Sequence, residues 1–153
     1  MNNNFKLTTE EAIKLIEIMK ERVRDSLLQF PNRGEKLEFE VIGKDDGTKF
    51  IVNINRGTVD INKCTYQGRT FINSIPLMRL DITNSVHINS DGTKIVGNHI
   101  HIYNENTEMR DAIPFDIEDA DLYNVCLRFF EKFNIIDGKI IYQMEIGKGN
   151  KNG

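Results

Sequence analysis

From residue 37 to residue 103, apolar and polar side chains alternate with a period of two, in short runs that each end at a Gly-, Asn- or Asp-bearing break. Leu37, Phe39 and Val41 alternate with Glu38 and Glu40; Phe50, Val52 and Ile54 alternate with Ile51 and Asn53. Met78, Leu80 and Ile82 alternate with Arg79 and Asp81, and Ile100 and Ile102 alternate with His99, His101 and Tyr103. A strand sends successive side chains to opposite faces, so each run reads as a strand with one buried side. Lys44-Asp45-Asp46-Gly47 and Arg56-Gly57 are turns that would join antiparallel neighbours. A third strand is expected to begin at Val59 and Ile61 and continue through Lys63 to Gln67, with Gly68-Arg69-Thr70 as a loop. Leu77 to Ile82 forms the fourth, and the histidine-bearing segment supplies the fifth and sixth.

Helical patterns flank this block. Thr8-Thr9-Glu10-Glu11 is a capping box, in which the Thr8 hydroxyl and the Glu11 carboxylate each satisfy a backbone N–H of the first turn. The stripe Ile13, Ile16, Met19 or Lys20, Val23 and Leu27 predicts a helix over about 9–29, stopped by Pro31-Asn32-Arg33-Gly34. Asp116 is the expected N-cap of a second helix, with Asp119 and Asp121 in its first turn. Leu122, Val125, Cys126, Phe129, Phe130 and Phe133 make its apolar stripe, which reads as core. Asp137-Gly138 turns into a last strand over 139–146, and the ends, 1–6 and 147–153, are expected to be disordered. The order predicts a single α+β domain over 1–146, with a mostly antiparallel curved sheet of about six or seven strands. An N-terminal and a C-terminal helix would cover one face of that sheet.

With 153 residues, 39% of them hydrophobic, the chain can bury one real core. No apolar run approaches the roughly 20 residues of a membrane span, and Met1 to Lys6 lacks the pattern of a signal peptide, so a cytoplasmic location is expected. Cys64 and Cys126 stand far apart outside any CxxC pattern, which predicts two buried free thiols. A net charge of −3 disfavours general affinity for DNA, which relies on neutralising phosphates, but leaves room for a local basic cleft.

The chain's three histidines all fall within residues 87–101. Histidine exchanges its proton near neutral pH and is also a common metal ligand. If both helices cover the apolar side of the sheet, Arg79, Asp81, His87, Asn89, His99, His101 and Tyr103 are candidates for the open side. That set suits phosphodiester cleavage without a metal or other cofactor. One histidine would deprotonate a ribose 2′-hydroxyl, another would protonate the leaving oxygen, and Arg79 would stabilise the charged phosphorane. Tyr103 would position a base or phosphate, and Asp81 would orient a histidine. A second reading is a metal held by three imidazoles with one position left for water. The alternation carries one difficulty. With Asp91-Gly92 as a two-residue turn, Ile88 would face Ile95 and His87 would point away from His99, so convergence needs a longer loop or a bulge at Gly97. Asn89, Asp91, Lys63, Tyr66 and Arg69 are candidates for substrate binding. EF-hand, Walker A, GxGxxG and GxSxG patterns are absent.

The segments Lys63-Cys64-Thr65-Tyr66-Gln67-Gly68-Arg69, Leu77-Met78-Arg79-Leu80-Asp81-Ile82, His87-Ile88-Asn89-Ser90-Asp91-Gly92 and His99-Ile100-His101-Ile102-Tyr103 together carry a resemblance. The chain resembles a family of small uncharacterised proteins from Gram-positive bacteria and their phages and mobile elements. Ser90 stands where that pattern has proline. The resemblance implies no established activity, but it implies a setting in which small proteins act as toxins or as inhibitors of host defence. Two expectations follow. One is a ribonuclease acting on RNA through the histidines. The other is an anti-CRISPR-like inhibitor that binds a host or phage nucleoprotein complex through acidic residues, with Glu105, Glu108 and Asp111 as its contacts. No membrane partner is expected.

Overall fold

The alternating runs become strands that pair edge to edge, and the helices cover the face on which the apolar residues fall. The computed structural model describes residues 6–24, 27–60, 62–117, 121–136 and 140–141. In chain order these form α1 (Thr9–Glu17), β1 (Lys20–Arg22), β2 (Leu28–Gln29), β3 (Lys36–Gly43), β4 (Lys49–Arg56), β5 (Cys64–Thr70) and β6 (Pro76–Ile82). There follow β7 (Val86–Ile88), β8 (Lys94–Val96), β9 (His99–Ile102), β10 (Ala112–Pro114), α2 (Leu122–Lys132) and β11 (Ile140–Ile141). A seven-stranded sheet has the order β1-β3-β4-β5-β6-β9-β10, every pair antiparallel. β2 pairs with β11 in parallel, and β7 with β8 forms a separate hairpin. The protein is thus an α+β domain. Among the described residues no helix is long and apolar enough to cross a membrane.

Both helices pack on one face. Ala12 and Ile16 of α1 and Val125, Cys126, Phe129 and Phe130 of α2 join Val52, Ile54, Tyr66, Leu80 and Ile100 in one buried cluster. Burying each of the larger side chains contributes about 1.5–3 kcal/mol, so this face holds the sheet flat against the helices. The opposite face carries the polar half of the same alternation: Thr65, Gln67, Arg69, Arg79, Asp81, His99 and His101. Cys64 and Cys126 are both free and buried.

Three elements differ from the sequence expectation. The first helix keeps its capping box, Glu11 N–H to Thr8 Oγ1 at 3.1 Å and Thr8 N–H to Glu11 Oε1 at 2.8 Å, but ends at Glu17 rather than near 29. Met19, Val23 and Leu27 are exposed, so their helical spacing was coincidental. The free edge of β3 takes Lys20–Arg22 as a strand instead, and tertiary pairing overrides local propensity. Lys20 seals the break. Its buried ammonium donates to the carbonyls of Ile16 (2.8 Å), Ile18 (2.9 Å) and Phe133 (2.7 Å), and it lies over the Phe50 and Phe133 rings. Those carbonyls sit at the C-terminal ends of α1 and α2, where helices lack internal partners. The second helix starts at Leu122 with Asp121, not Asp116, as N-cap, and its apolar stripe is buried as expected.

Gly68-Arg69-Thr70 is the third difference: it is the end of β5, not a loop. A Cβ on Gly68 would lie 2.5 Å from the Phe133 ring, so the glycine is there for close approach of an aromatic ring. Val59 is almost fully exposed in the bend before β5 and begins no strand. Expectations for 1–5, Ile61, Asp119, the Asp137-Gly138 turn, most of the last strand and the 147–153 tail lie outside the described residues.

Candidate functional site

β6 and β9 run side by side with Asp81 opposite His99 and Arg79 opposite His101. These four side chains therefore share the face away from the helices, while Leu80 and Ile100 enter the core between them. His87 arrives from above, on the β7–β8 hairpin. The parity difficulty is resolved by the loop. Asn89 N–H bonds Thr93 O at 2.8 Å and Gly92 N–H bonds Asn89 O at 2.8 Å, so three residues, not two, cross between the strands. The register moves by one, pairing His87 with Ile95 and Ile88 with Lys94. A one-residue slip moves every side chain to the other face of a strand. His87 and the buried Ile95 consequently face the sheet, and Val86, Ile88 and Val96 face solvent. Gly97, at φ +95°, turns the chain from β8 into β9 and is no bulge within a strand.

The hairpin is fastened to the edge strand. Asn89 Nδ2 donates to Ala112 O and Ala112 N–H donates to Asn89 Oδ1, both at 2.9 Å. Ser90 donates from its backbone to Asp111 Oδ1 at 2.7 Å and from its hydroxyl to Oδ2 at 2.6 Å. Those bonds hold the Asp111 carboxyl below its ordinary pKa.

The three imidazoles meet under this cover. His87 stacks on His99 with ring centroids 5.0 Å apart, and His101 stands edge-on to both at 4.9 and 5.1 Å. One ligand-capable atom of each lies within 4.8 Å of those of the other two. His99 and His101 are 5% and 1% exposed, and His87 is half-buried. Asp81 Oδ2 lies 3.2 Å from His99 Nε2 and 3.5 Å from His101 Nε2. Arg79 binds Asp81 through Nε (3.0 Å to Oδ1) and Nη2 (3.0 Å to Oδ2), and its Nη2 is also 3.0 Å from His101 Nε2. Burial pushes the Asp81 carboxyl up, but hydrogen bonds from His101 and Arg79, with the Arg79 charge, outweigh it and hold the group at about 2. His99 Nδ1 is 2.9 Å from Gly97 O. Two buried ring nitrogens, His87 Nε2 and His101 Nδ1, have no hydrogen-bond partner among the described residues.

Arg79 also ends a polar groove of about 300 Å³, lined by Asn53, Asn55, Thr65, Gln67, Arg69 and Arg79. Registers Asn53 to Gln67, Asn55 to Thr65 and Gln67 to Arg79 place these side chains on one face across β4, β5 and β6. Arg69 donates to Asn53 Oδ1 at 2.5 Å and lies 3.6 Å from Glu38. Asn53 and Asn55 were not among the sequence candidates. The signal was present, since they fill the polar positions of the β4 alternation, but amides on a strand read equally well as plain surface.

Several candidates lie elsewhere. β9 ends at Ile102, so Tyr103 leaves the alternation and enters the core, its hydroxyl donating to Leu7 O at 2.8 Å. Tyr66 falls on the apolar parity of β5 and is fully buried, donating to Leu122 O at 2.7 Å; it cannot touch a substrate. Lys63 is exposed before β5, away from the groove's lining. Asp91 caps its own turn by accepting from Thr93 N–H at 2.9 Å, and Asn89 is committed to Ala112. Among the acidic candidates, Glu105 accepts from Thr9 N–H at 3.0 Å, Glu108 lies 3.7 Å from Lys6 and Asp111 holds Ser90. Glu105 and Asp111 each tie two segments of the fold together, while the Glu108 carboxylate, among the described residues, makes only an exposed ion pair.

A family model described as a family of unknown function (DUF6978) matches residues 7–135, and the chain belongs to that family. No curated protein matches it. No solved structure matches it.

Proposed function

We propose that this member of the family is an RNA-cleaving enzyme whose reaction centre is the histidine cluster at the end of the polar groove. The observation that carries the reading is the meeting of His87, His99 and His101 beside Asp81, joined through His101 and Asp81 to Arg79, which among the described residues also lines the groove. Arg69 and Arg79 offer two planar, permanently charged donors to phosphates of a bound strand, and the amides and Thr65 offer neutral hydrogen bonds beside them. A phosphate on Arg79 would lie one side chain from His101. His87, the half-buried member of the cluster, would accept the proton of a 2′-hydroxyl as the 2′-oxygen bonds phosphorus, and return that proton to the 5′-oxygen as the P–O5′ bond breaks. The products would be a 2′,3′-cyclic phosphate and a 5′-hydroxyl.

Burial divides the labour. His99 and His101 are too enclosed for a polymer to reach directly, so they hold the centre, whereas Arg79, with its side chain 35% exposed, meets the substrate. The mobile-element setting and the cytoplasmic location are part of the same proposal, since a small RNA-cleaving protein would act there. No observation favours the inhibitor reading in the same way, because the acids it relied on are engaged within the fold. The test is turnover: trace protein against excess RNA, with Arg79→Ala expected to lose cleavage by about 100-fold or more, the size usual for a group that stabilises developing charge.

A further inference from the structure

We infer that His87, His99 and His101 form a binding site for one divalent transition-metal ion of the zinc class, bridging the β7–β8 hairpin to the sheet. The argument begins with the hydrogens. A carbonyl oxygen only accepts, so the 2.9 Å contact with Gly97 O assigns the ring hydrogen of His99 to Nδ1. In a neutral ring this leaves a lone pair on Nε2, which faces the Asp81 carboxylate at 3.2 Å. A lone pair against a carboxylate repels, and a positive charge at the imidazoles, whether a second ring proton or a metal ion, relieves it. His101 leaves Nδ1 buried and unpartnered, while its Nε2 lies 3.0 Å from Arg79 Nη2 and 3.5 Å from Asp81 Oδ2. When Nε2 donates to Asp81, Nδ1 carries the lone pair, and Arg79, which only donates, spends its N–H groups on the same carboxylate. His87 likewise turns a buried, unpartnered Nε2 into the structure. A buried imidazole nitrogen without a partner is costly, by about 1–3 kcal/mol. Two such nitrogens, on rings that with His99 each bring a ligand-capable atom within 4.8 Å of the others, amount to a donor set lacking its acceptor.

Chemistry narrows the ion. Three neutral imidazoles suit zinc and its neighbours, and are poor ligands for magnesium or calcium, which take oxygen. Bonds of about 2.0–2.1 Å to a tetrahedral ion need nitrogens roughly 3.4 Å apart, so the cluster must tighten by about an ångström or so. His87 is the one ligand of the three that the seven-stranded sheet does not carry, so the tightening falls to a shift of its half-buried side chain toward the other two. Ligand histidines usually pass their other ring N–H to a carbonyl or carboxylate, as His99 does to Gly97 O and as Asp81 is placed to receive from His101. Asp81 is itself held by Arg79 through both carboxylate oxygens, which makes it a buttress for the ring rather than a fourth ligand. Three ligands leave a position for water, whose pKa such an ion lowers to about 7. This use of the ion rests on the proposed cleavage activity; its binding does not.

The experiment uses the full chain, stripped with chelator and then titrated with Zn2+ and, as a spectroscopic probe, with Co2+. The expected result is about one ion per chain, a visible Co2+ spectrum of a four-coordinate site with nitrogen ligands, and a Tm raised by several degrees on Zn2+ addition. His87→Ala should fold, because its side chain lies outside the main core cluster, and should lose binding by about 100-fold or more along with the Tm shift. Asn106→Ala, in the exposed 104–108 loop, should retain both. Absence of saturable binding to the wild type, or equal binding by His87→Ala, would overturn the inference. Ion binding without RNA cleavage would uphold it and remove the enzymatic reading. RNA cleavage by protein shown to hold no ion would keep the enzyme and overturn the ion's part in the reaction, the site itself being judged by the titration.

Discussion

His87 pairs with Ile95 across the β7–β8 hairpin, and this one register brings the third imidazole down onto His99. Had Ile88 taken that place, His87 would face solvent. Deleting Ser90 shortens the three-residue loop to two and should turn His87 outward. The expected outcome is a folded protein with an unchanged far-UV spectrum, in which the ring protons of His87 and His99 no longer show NMR cross-relaxation. Persistence of those contacts would mean that something other than the loop sets the register.

The hairpin is held at its tip by Asn89 and Asp111. Asn89→Ala removes the two bonds to Ala112 and leaves a backbone N–H unpaired, a loss of about 1–3 kcal/mol. The loss should be local. Amide exchange at Ile95 should quicken while the amides of β4 and β5 stay protected. Uniform quickening across the sheet would show that the hairpin unfolds only with the whole domain.

Gly68→Ala drives a methyl into the Phe133 ring, where the nearest approaches are 2.5–2.8 Å. The ring is packed edge-to-face against Phe50 and under the Lys20 ammonium, so it has little room to yield. Overpacking of this kind costs about 1–3 kcal/mol. Urea denaturation should show the midpoint falling with an unchanged m-value; an unchanged midpoint would mean that the helix slides to accommodate the methyl.

Lys20 makes stability depend on pH. Burial lowers its pKa from 10.5 to about 7 in the folded protein, against the pull of three carbonyls and two ring faces that favour the ammonium. Between those values the unfolded chain binds the proton more strongly than the folded one, so stability attributable to this group rises as pH rises from about 7 towards 10.5. Below about 7 both states carry the proton and the cost of burying the charge is fully felt. Denaturant midpoints of wild type and Lys20→Met, measured from pH 7 to pH 9.5, should therefore diverge in the wild type's favour. Parallel curves would show that the carbonyl cage keeps the lysine charged throughout.

The fold was legible wherever burial follows local alternation. Phe50, Val52 and Ile54 are all fully buried, and Arg79 and Asp81, between Met78 and Ile82, face the other way, because one face of each strand has only one place to go. The first helix was misjudged for the same reason. Ile13, Ile16, Met19 and Val23 repeat at helical spacing, yet the chain leaves the helix at Ile18 because a distant strand edge and a distant carbonyl, Phe133 O, await Lys20. In the candidate site, His99 and His101 were legible as face-sharing neighbours, and Arg79 and Asp81 as their companions. Tyr103 was not, since nothing local says that β9 stops one residue earlier. The burial of the histidines was also hidden. It depends on a separate hairpin folding over them, and on a loop one residue longer than the shortest turn.

The acidic candidates can be separated from the site by substitution. Asp111→Asn keeps the shape of the side chain but weakens its hold on the Ser90 hydroxyl and amide. RNA cleavage should fall only modestly, and the residual activity should keep the wild-type dependence on salt, because the charges proposed to meet phosphate are Arg69 and Arg79. A changed salt dependence would place Asp111 in the substrate path.

The most direct measurement is RNA turnover by wild type and His87→Ala at equal, trace concentration, with product ends identified. The account predicts many turnovers per wild-type chain, 2′,3′-cyclic phosphate ends, and a rate at least about 100-fold lower for the variant, in keeping with loss of a proton-transfer centre. Equal rates in the two proteins, or no turnover by folded wild type, would contradict it.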